Sequence, residues 1–509
     1  MADPVLHVLA QVDTFNTPAI QWYAVVPELL LVGGALVLMV VAALSPKPLP
    51  AGTYAWATVV IAAATLVDAA FLWSDVQDSG PKSIIAGALG LDGFAVFFMV
   101  LTCVALILGS LFADSQLRRS GIDGCEPYVL MLLAGTGAIV MASANDLIVL
   151  FLGLETLSIA LYVLAASDLR RRESQEASIK YFVLGGMSSA FLLYGIALVY
   201  GATGSTNLTT IQQFLADNVL LENGLMLAGL ALLLVGLGFK VAAVPFHTWV
   251  PDVYQGSPTP ITGFMASAAK AAAFAALLRA FYVGFAAYQH DWKPVIWVLA
   301  VLSMLVGSVL AIIQTDVKRM LAYSSVSHAG FILVGVEAAS AQGTAAALFY
   351  ALAYTFMVLG SFAIVALVGP ASDGTHDIST FRGLSSRRPV LAFTFTVFLL
   401  AQAGVPLTSG FFAKFYVISA AVDTKSYALA VIAMVSAVIA AFLYLRLIVA
   451  MYLSEPEGEA APRGPKVSVP AAAALGLALA VAFTVIVGID PSAVIDFAHD
   501  AVPVLVAGP

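Results

Sequence analysis

Four ionisable residues stand in runs that hydrocarbon should forbid to them. Glu155 lies in NDLIVLFLGLETLSIALYVLAAS, Lys240 in GLGFKVAAVPFH, Lys270 in ASAAKAAAF and Lys414 in GVPLTSGFFAKFY. A charge at the centre of a membrane helix costs roughly 2.5–3.5 kcal/mol on insertion scales, so four cost roughly 10–14 kcal/mol. That is comparable to the whole net stability of a typical protein. Snorkelling, the ordinary fate of a membrane lysine, works near a helix end and fails at the centre. The chemistry these residue types offer is proton transfer. A carboxylate close to Lys240 favours its protonated form and a withdrawn one favours release, so Glu155 and Lys240 load and unload a proton with only a conformational input. Lys270 is surrounded by small residues that leave room for water or a neighbouring helix. A histidine titrates near neutrality and passes protons between its ring nitrogens. His328, among the hydroxyls of AYSSVSHAGF, reads as a relay residue; His247, in PFHTW, reads equally as a relay or an interface residue.

These residues need membrane helices to position them. The 509 residues are 61% hydrophobic and 10% charged, with a mean hydropathy of +0.98. A soluble protein carries about 25% charged residues; this chain is an all-α polytopic membrane protein. A span needs about 20 apolar residues. Fourteen such runs are found, near 22–44, 55–74, 91–113, 126–143, 146–166, 178–201, 223–247, 259–286, 294–313, 319–338, 343–368, 390–421, 427–452 and 467–489. With the N-terminus outside, the inner loops carry nearly all the basic residues, including Arg118, Arg119, Arg170–Arg172, Lys318, Arg319, Arg387 and Arg388. The outer loops hold only Lys82, Lys293 and Lys425, as the positive-inside rule requires of a chain with both termini outside.

Two of the runs are interrupted. Pro245 lacks an N–H, which frees the carbonyl of Val241 one residue from Lys240. Such a carbonyl is tolerated at membrane depth only inside protein or beside water. The twelfth run is overlong and breaks at GVPLTSGFFAKFY. Both breaks combine Gly-Phe, a lysine and a proline, and they lie five spans apart. An odd offset makes the copies cross in opposite directions, and interrupted helices at matching positions of inverted halves point to a transport site. The expected organisation is 1–125 (helices 1–3), 126–290 (first inverted repeat, helices 4–8), 291–453 (second, helices 9–13) and 454–509 (helix 14 and tail).

The remaining charges read more blandly. Arg279 and Arg446, near helix ends, are taken as anchors or snorkelling residues. Asp68 and Asp92 are taken as solvated, and Glu28 as structural or an interface contact. Cys103 and Cys125 show no CxxC spacing, and no GxGxxG or Walker-type loop occurs, so a metal centre, redox chemistry or nucleotide hydrolysis by this chain alone is not expected. No basic patch suggests nucleic acid. MADPVLHVLAQVD has no Lys or Arg, so a cleaved signal peptide is not expected.

The segments PFHTWVPDVYQGSPTPIT, DVKRMLAYSSVSHAG and GVPLTSGFFAKF resemble the antiporter-like membrane subunits of respiratory complex I, the proton-pumping NADH:quinone oxidoreductase. The likeness runs from about residue 20 to 490 and extends to Mrp-type cation/proton antiporter subunits. Within the family the chain is most similar to subunit N: PDVYQGSPTP stands where L and M usually have PDAH, Lys414 where M has glutamate, and no long lateral helix follows span fourteen. The resemblance implies two inverted five-helix repeats and interrupted helices 7 and 12. It implies Glu155 and Lys240 as the proton-loading pair, Lys270 as the central connecting residue and Lys414 at the exit half-channel. It also implies that NADH, FMN, iron–sulfur clusters and quinone belong to other subunits. The implied neighbours are subunits M and K and the lateral helix of L, in a bacterial cell membrane. Alternatives are an Mrp-type antiporter subunit and a scaffold that transports nothing.

Overall fold

A computed structural model describes residues 20–47, 49–218, 223–370, 372–453 and 469–506. Residues 1–19, where the signal-peptide reading falls, and both chain ends lie outside the described residues. Where water is absent every backbone N–H and C=O must be satisfied within the segment, and the long apolar runs accordingly form helices: α1 Val26–Leu44, α2 Thr53–Ser79, α3 Gly93–Arg119, α4 Glu126–Ser143, α5 Leu147–Ala165, α6 Arg172–Thr203, a short amphipathic α7 Leu208–Asp217, α8 Gly224–Val241, α9 Trp249–Gly256, α10 Thr259–Gly284, α11 Gln289–Ile312, α12 Val317–Glu337, α13 Ala341–Val368, α14 Pro389–Ala403, α15 Ser409–Asp423, α16 Tyr427–Leu453, α17 Ala471–Ile489 and α18 Ser492–Asp500. A small hairpin, β1 Lys82–Ile84 with β2 Leu89–Leu91, precedes α3.

Among the described residues thirteen helices are long and apolar enough to cross a membrane. The short pair α14 and α15, broken at Gly404, occupies the expected twelfth span, beside the thirteen long ones. The break in the seventh falls between α8 and α9, where Ala242 adopts a left-handed conformation. The eighth span, α10, is irregular without being broken. It contains two π-helical segments, Met265–Ala269 immediately before Lys270 and Arg279–Gly284.

α3, α10, α12 and α13 are buried nearly all round and form the centre. α1, α2, α6, α16 and α17 bury only a stripe and turn residues such as Val60, Phe71, Tyr194 and Val438 outward. Small residues let backbones approach where side chains would hold them apart. A Cβ on Gly137 of α4 would lie 2.5 Å from the Leu157 nitrogen of α5. The same crossing recurs between α11 and α12, where a Cβ on Gly307 would lie 2.5 Å from the Ser327 nitrogen. A backbone bridge joins Asp146, the N-cap of α5, to Asn207, and a second joins Asp316, the N-cap of α12, to Asp377. Both members of each contact shift by one constant spacing along the chain.

Candidate functional site

α5 and α6 pack so that Glu155 accepts a hydrogen bond from Ser189 and, two turns on, the Tyr162 hydroxyl fits against Gly185, where any side chain would collide with it. Glu155 is half-buried. Lys240, at the end of α8, is buried; its ammonium lies 3.4 Å from the Tyr162 hydroxyl and within 5.4 Å of the Tyr162 and Tyr181 ring centres. Glu155 and Lys240 do not form an ion pair among the described residues. Cation–π contacts and one long hydrogen bond take its place. No hydrogen bond joins Lys240 to the Val241 carbonyl among the described residues.

Lys270 and Lys414 belong to a second cluster. Lys270 follows the π-helical turn of α10 and donates to the carbonyl and hydroxyl of Ser325, each at 2.5 Å. Beside it in α12, the Ser324 hydroxyl meets the Tyr444 hydroxyl at 2.6 Å. Tyr444 lies 3.0 Å from His328 Nε2, and His328 Nδ1 lies 2.7 Å from the Tyr350 hydroxyl. Ser324 also reaches Gln402 at 3.5 Å. Lys414 donates to the carbonyls of Gln402 and Ala403, both at 2.9 Å. These are carbonyls that the break in the twelfth span leaves open. The coupling of a lysine to a freed carbonyl thus occurs at the second break. Lys270, His328 and Lys414 are all buried, and none of the three lysines is ion-paired among the described residues.

Between the clusters stands an aromatic wall. Tyr181 stacks on Trp249 at 4.5 Å between centroids, and Trp249 meets Tyr254 edge-on at 6.1 Å. No hydrogen-bonded chain connects Lys240 to Lys270 among the described residues. His247 sits at the break, half-buried, with its Nδ1 unpartnered and its ring 6.5 Å from that of Tyr323, the neighbour of Ser324.

Two of the bland readings are corrected. Asp92 and Arg279 are not a solvated residue and an anchor; they form a buried ion pair with contacts of 2.6 and 2.7 Å. Arg279 also donates to the Ala142 carbonyl, and Asp92 caps α3 through the Ala95 N–H. Asp68 is half-buried rather than solvated; it and Glu28 each have one buried oxygen unpartnered among the described residues. Arg446 donates to the carbonyls of Ile312 and Gln314, closing the end of α11.

A third cluster escaped the sequence reading. Asp373, buried in the loop after α13, accepts from the Thr259 N–H at 2.7 Å and hydroxyl at 2.5 Å at the start of α10. Lys318 and Arg171 each lie 3.5 Å from it and His376 3.2 Å. Burial works to raise the Asp373 carboxyl, but Lys318, His376 and Thr259 outweigh it and hold the group well below the usual carboxylate range. Nothing in GPASDGTHD distinguishes this aspartate from a solvated loop residue. Gln402 and Tyr444, polar groups within apolar runs, did carry a signal, since such groups need partners inside a membrane.

Interrupted helices around buried lysines define an antiporter-like membrane subunit. The profile of the NADH:quinone oxidoreductase/Mrp antiporter transmembrane family matches residues 144–440. NADH-quinone oxidoreductase subunit N 3 of Streptomyces griseus is 41% identical over 96% of this chain and 95% of its own length. A chain of respiratory complex I from Thermus thermophilus superposes with a TM-score of 0.78 at 33% identity, covering 93% of this chain and 99% of that one. A chain of the Mrp complex from Dietzia shares the fold at a TM-score of 0.82 but only 21% identity, covering 95% and 97%. The chain belongs to the subunit N family of NADH-quinone oxidoreductase.

Proposed function

We propose that this chain is the non-redox, proton-moving part of its oxidoreductase. Glu155 and Lys240 load a proton, Lys270 receives it, and His328 and the Ser324–Tyr444–Gln402 network pass it toward Lys414, from which it leaves. The observation that carries this reading is the buried polar cluster in which Lys270, on Ser325, stands beside the Ser324–Tyr444–His328 hydrogen bonds that also reach Gln402, a partner of Lys414. Two buried lysines there lack ion-pair partners among the described residues: Lys270 donates to Ser325, whose neighbour Ser324 shares the Tyr444 hydroxyl with His328, and Lys414 donates to the carbonyls of Gln402 and Ala403. A packing role would be served better by apolar residues of equal volume. The aromatic wall, with His247 at its edge, separates the loading pair from the central cluster, and transfer across it requires water or a movement of the break.

The reading extends to the surroundings. Moving one charge against 100 mV costs about 2.3 kcal/mol, which quinone reduction in partner subunits supplies; NADH, FMN, iron–sulfur clusters and quinone are theirs. The neighbours are other complex I membrane subunits, M on one side and K on the other, with the lateral helix of L alongside. The membrane is the bacterial cell membrane, with both termini outside. Residues 126–290 and 291–453 form inverted repeats, supported by the matching Gly137 and Gly307 crossings and the matching Asp146 and Asp316 bridges. The test is Glu155→Gln and Lys240→Ala in the assembled membrane complex. Both are expected to abolish proton pumping while the amount of complex stays constant. Wild-type pumping by a fully assembled variant would remove the pair from the mechanism.

A further inference from the structure

α14 and α17 do not close against each other along their first turns. A cavity of about 720 Å³ opens between them, lined by Val390, Leu391 and Phe393 of α14 and by Leu477, Ala478 and Val481 of α17. Val390 and Phe393 are largely exposed. Arg387 and Arg388 stand at the mouth, just before Pro389 begins α14. Arg387 donates only to the backbone carbonyls of Thr380 and Arg382. The Arg388 guanidinium has no hydrogen bond or ion pair among the described residues, and none of their carboxylates pairs with either guanidinium. The groove is therefore largely apolar along its length, with a positive mouth that no carboxylate among the described residues offsets.

That end is where the basic loops gather, the cytoplasmic edge by the positive-inside rule. The groove runs along α17 from Val469 to Ala482, about 20 Å at 1.5 Å per residue. One leaflet of a bilayer is about 15 Å deep. A groove of leaflet depth with a cationic mouth matches the shape and charge of a phospholipid with an anionic headgroup, and basic pockets at this edge of membrane helices bind such headgroups. We propose that the groove between α14 and α17 is a binding site for one anionic phospholipid. Its phosphate pairs with Arg387 and Arg388 and an acyl chain lies against Phe393, Leu477 and Val481. The occupant would cover the outer side of the first half of the broken twelfth span, and the site stands whether or not the chain moves protons.

The test is native mass spectrometry of the full chain in detergent, titrated with dioleoyl phosphatidylglycerol or dioleoyl phosphatidylcholine. Wild type is expected to retain one phosphatidylglycerol with roughly tenfold or greater preference over phosphatidylcholine, as two unpaired cations near a membrane surface imply. Replacing both arginines by glutamine (R387Q/R388Q) should abolish the preference, and replacing both by lysine should keep most of it. Ala478→Phe, which fills the groove, should weaken both lipids. Equal retention of the two lipids by wild type, or an unchanged preference in R387Q/R388Q, overturns the proposal. So does a photo-cross-linker at position 478 that, in membranes, captures a neighbouring polypeptide or residues 454–468 of this chain in place of lipid.

Discussion

At the scale of single residues, the site consists of cations whose hydrogen-bond needs are met without opposite charges. Lys270 rests on Ser325, Lys414 on two open carbonyls, and Lys240 on tyrosine faces. A lysine paired with a buried carboxylate would be fixed as a charge. One held by neutral oxygens is free to give up its proton. Lys270→Met preserves volume and removes the proton site. Proton pumping in the assembled complex, followed in membrane vesicles with a pH-sensitive dye, should fall roughly tenfold or more, equivalent to about 1.4 kcal/mol in a barrier. Tyr444→Phe removes one hydroxyl shared by Ser324 and His328. It leaves buried polar atoms short of a partner at a cost of about 1–3 kcal/mol, so pumping should slow by more than the small loss of thermal stability suggests. Unchanged turnover and pumping in this variant would show that the proton does not pass through His328.

At the scale of elements, the helices are held at their irregular points. α10 carries Lys270 immediately after a π-helical turn, and its second such turn begins at Arg279, which the Asp92 carboxylate and the Ala142 carbonyl tie to α3 and α4. Removing one member of a buried pair strands the other charge. Asp92→Ala should therefore destabilise the chain by about 3–5 kcal/mol, and Asp92→Leu combined with Arg279→Met should recover most of it. Thermal unfolding of the detergent-solubilised chain would separate the two. The break in the twelfth span depends on glycine for a different reason. A side chain at Gly410 would run into the Ala401 carbonyl, and Gly404 takes a φ of +88° that L residues rarely adopt. Gly410→Ala should force α14 and α15 apart and lower pumping and stability together, which parallel measurements of both would reveal.

At the scale of the whole molecule, the two halves meet at a charged cluster around Asp373. Arg171, Ser257 and Thr259 come from the first half, Lys318, Asp373 and His376 from the second. Asp373 fixes the start of the Lys270 helix with a carboxylate from the opposite half. Asp373→Asn should lower thermal stability by about 3–5 kcal/mol, because Lys318 stays fully buried without its countercharge. The sign of the pH dependence follows from the depressed carboxyl. Above the unfolded value of 3.8 the group is charged in both states and its contribution is fully present. That contribution is lost as pH falls from there through the lower folded value. Wild type should thus lose stability more steeply than Asp373→Asn below about pH 4, and parallel acid-denaturation curves would count against the cluster as a stabilising tie.

The sequence by itself determined the many-helix membrane fold, the two interrupted spans and the placing of Lys240, Lys270 and Lys414 within apolar runs. Hydropathy, proline and glycine act locally, and a lysine in an apolar run is conspicuous wherever the helix packs. Only the tertiary structure decided which of those groups share hydrogen bonds. It linked His328 to the partners of Lys414 through Tyr444, Ser324 and Gln402, placed Lys270 on the adjacent Ser325, and set Glu155 and Lys240 behind Tyr181 and Trp249. It turned Asp92 and Arg279 from apparent surface charges into a buried tie. It also gave Asp373 a role no local pattern betrays. Partnership between groups far apart in the chain depends on which helices cross and at what height. That is fixed by the close glycine contacts and the summed packing of many apolar side chains, and no single stretch of sequence records it.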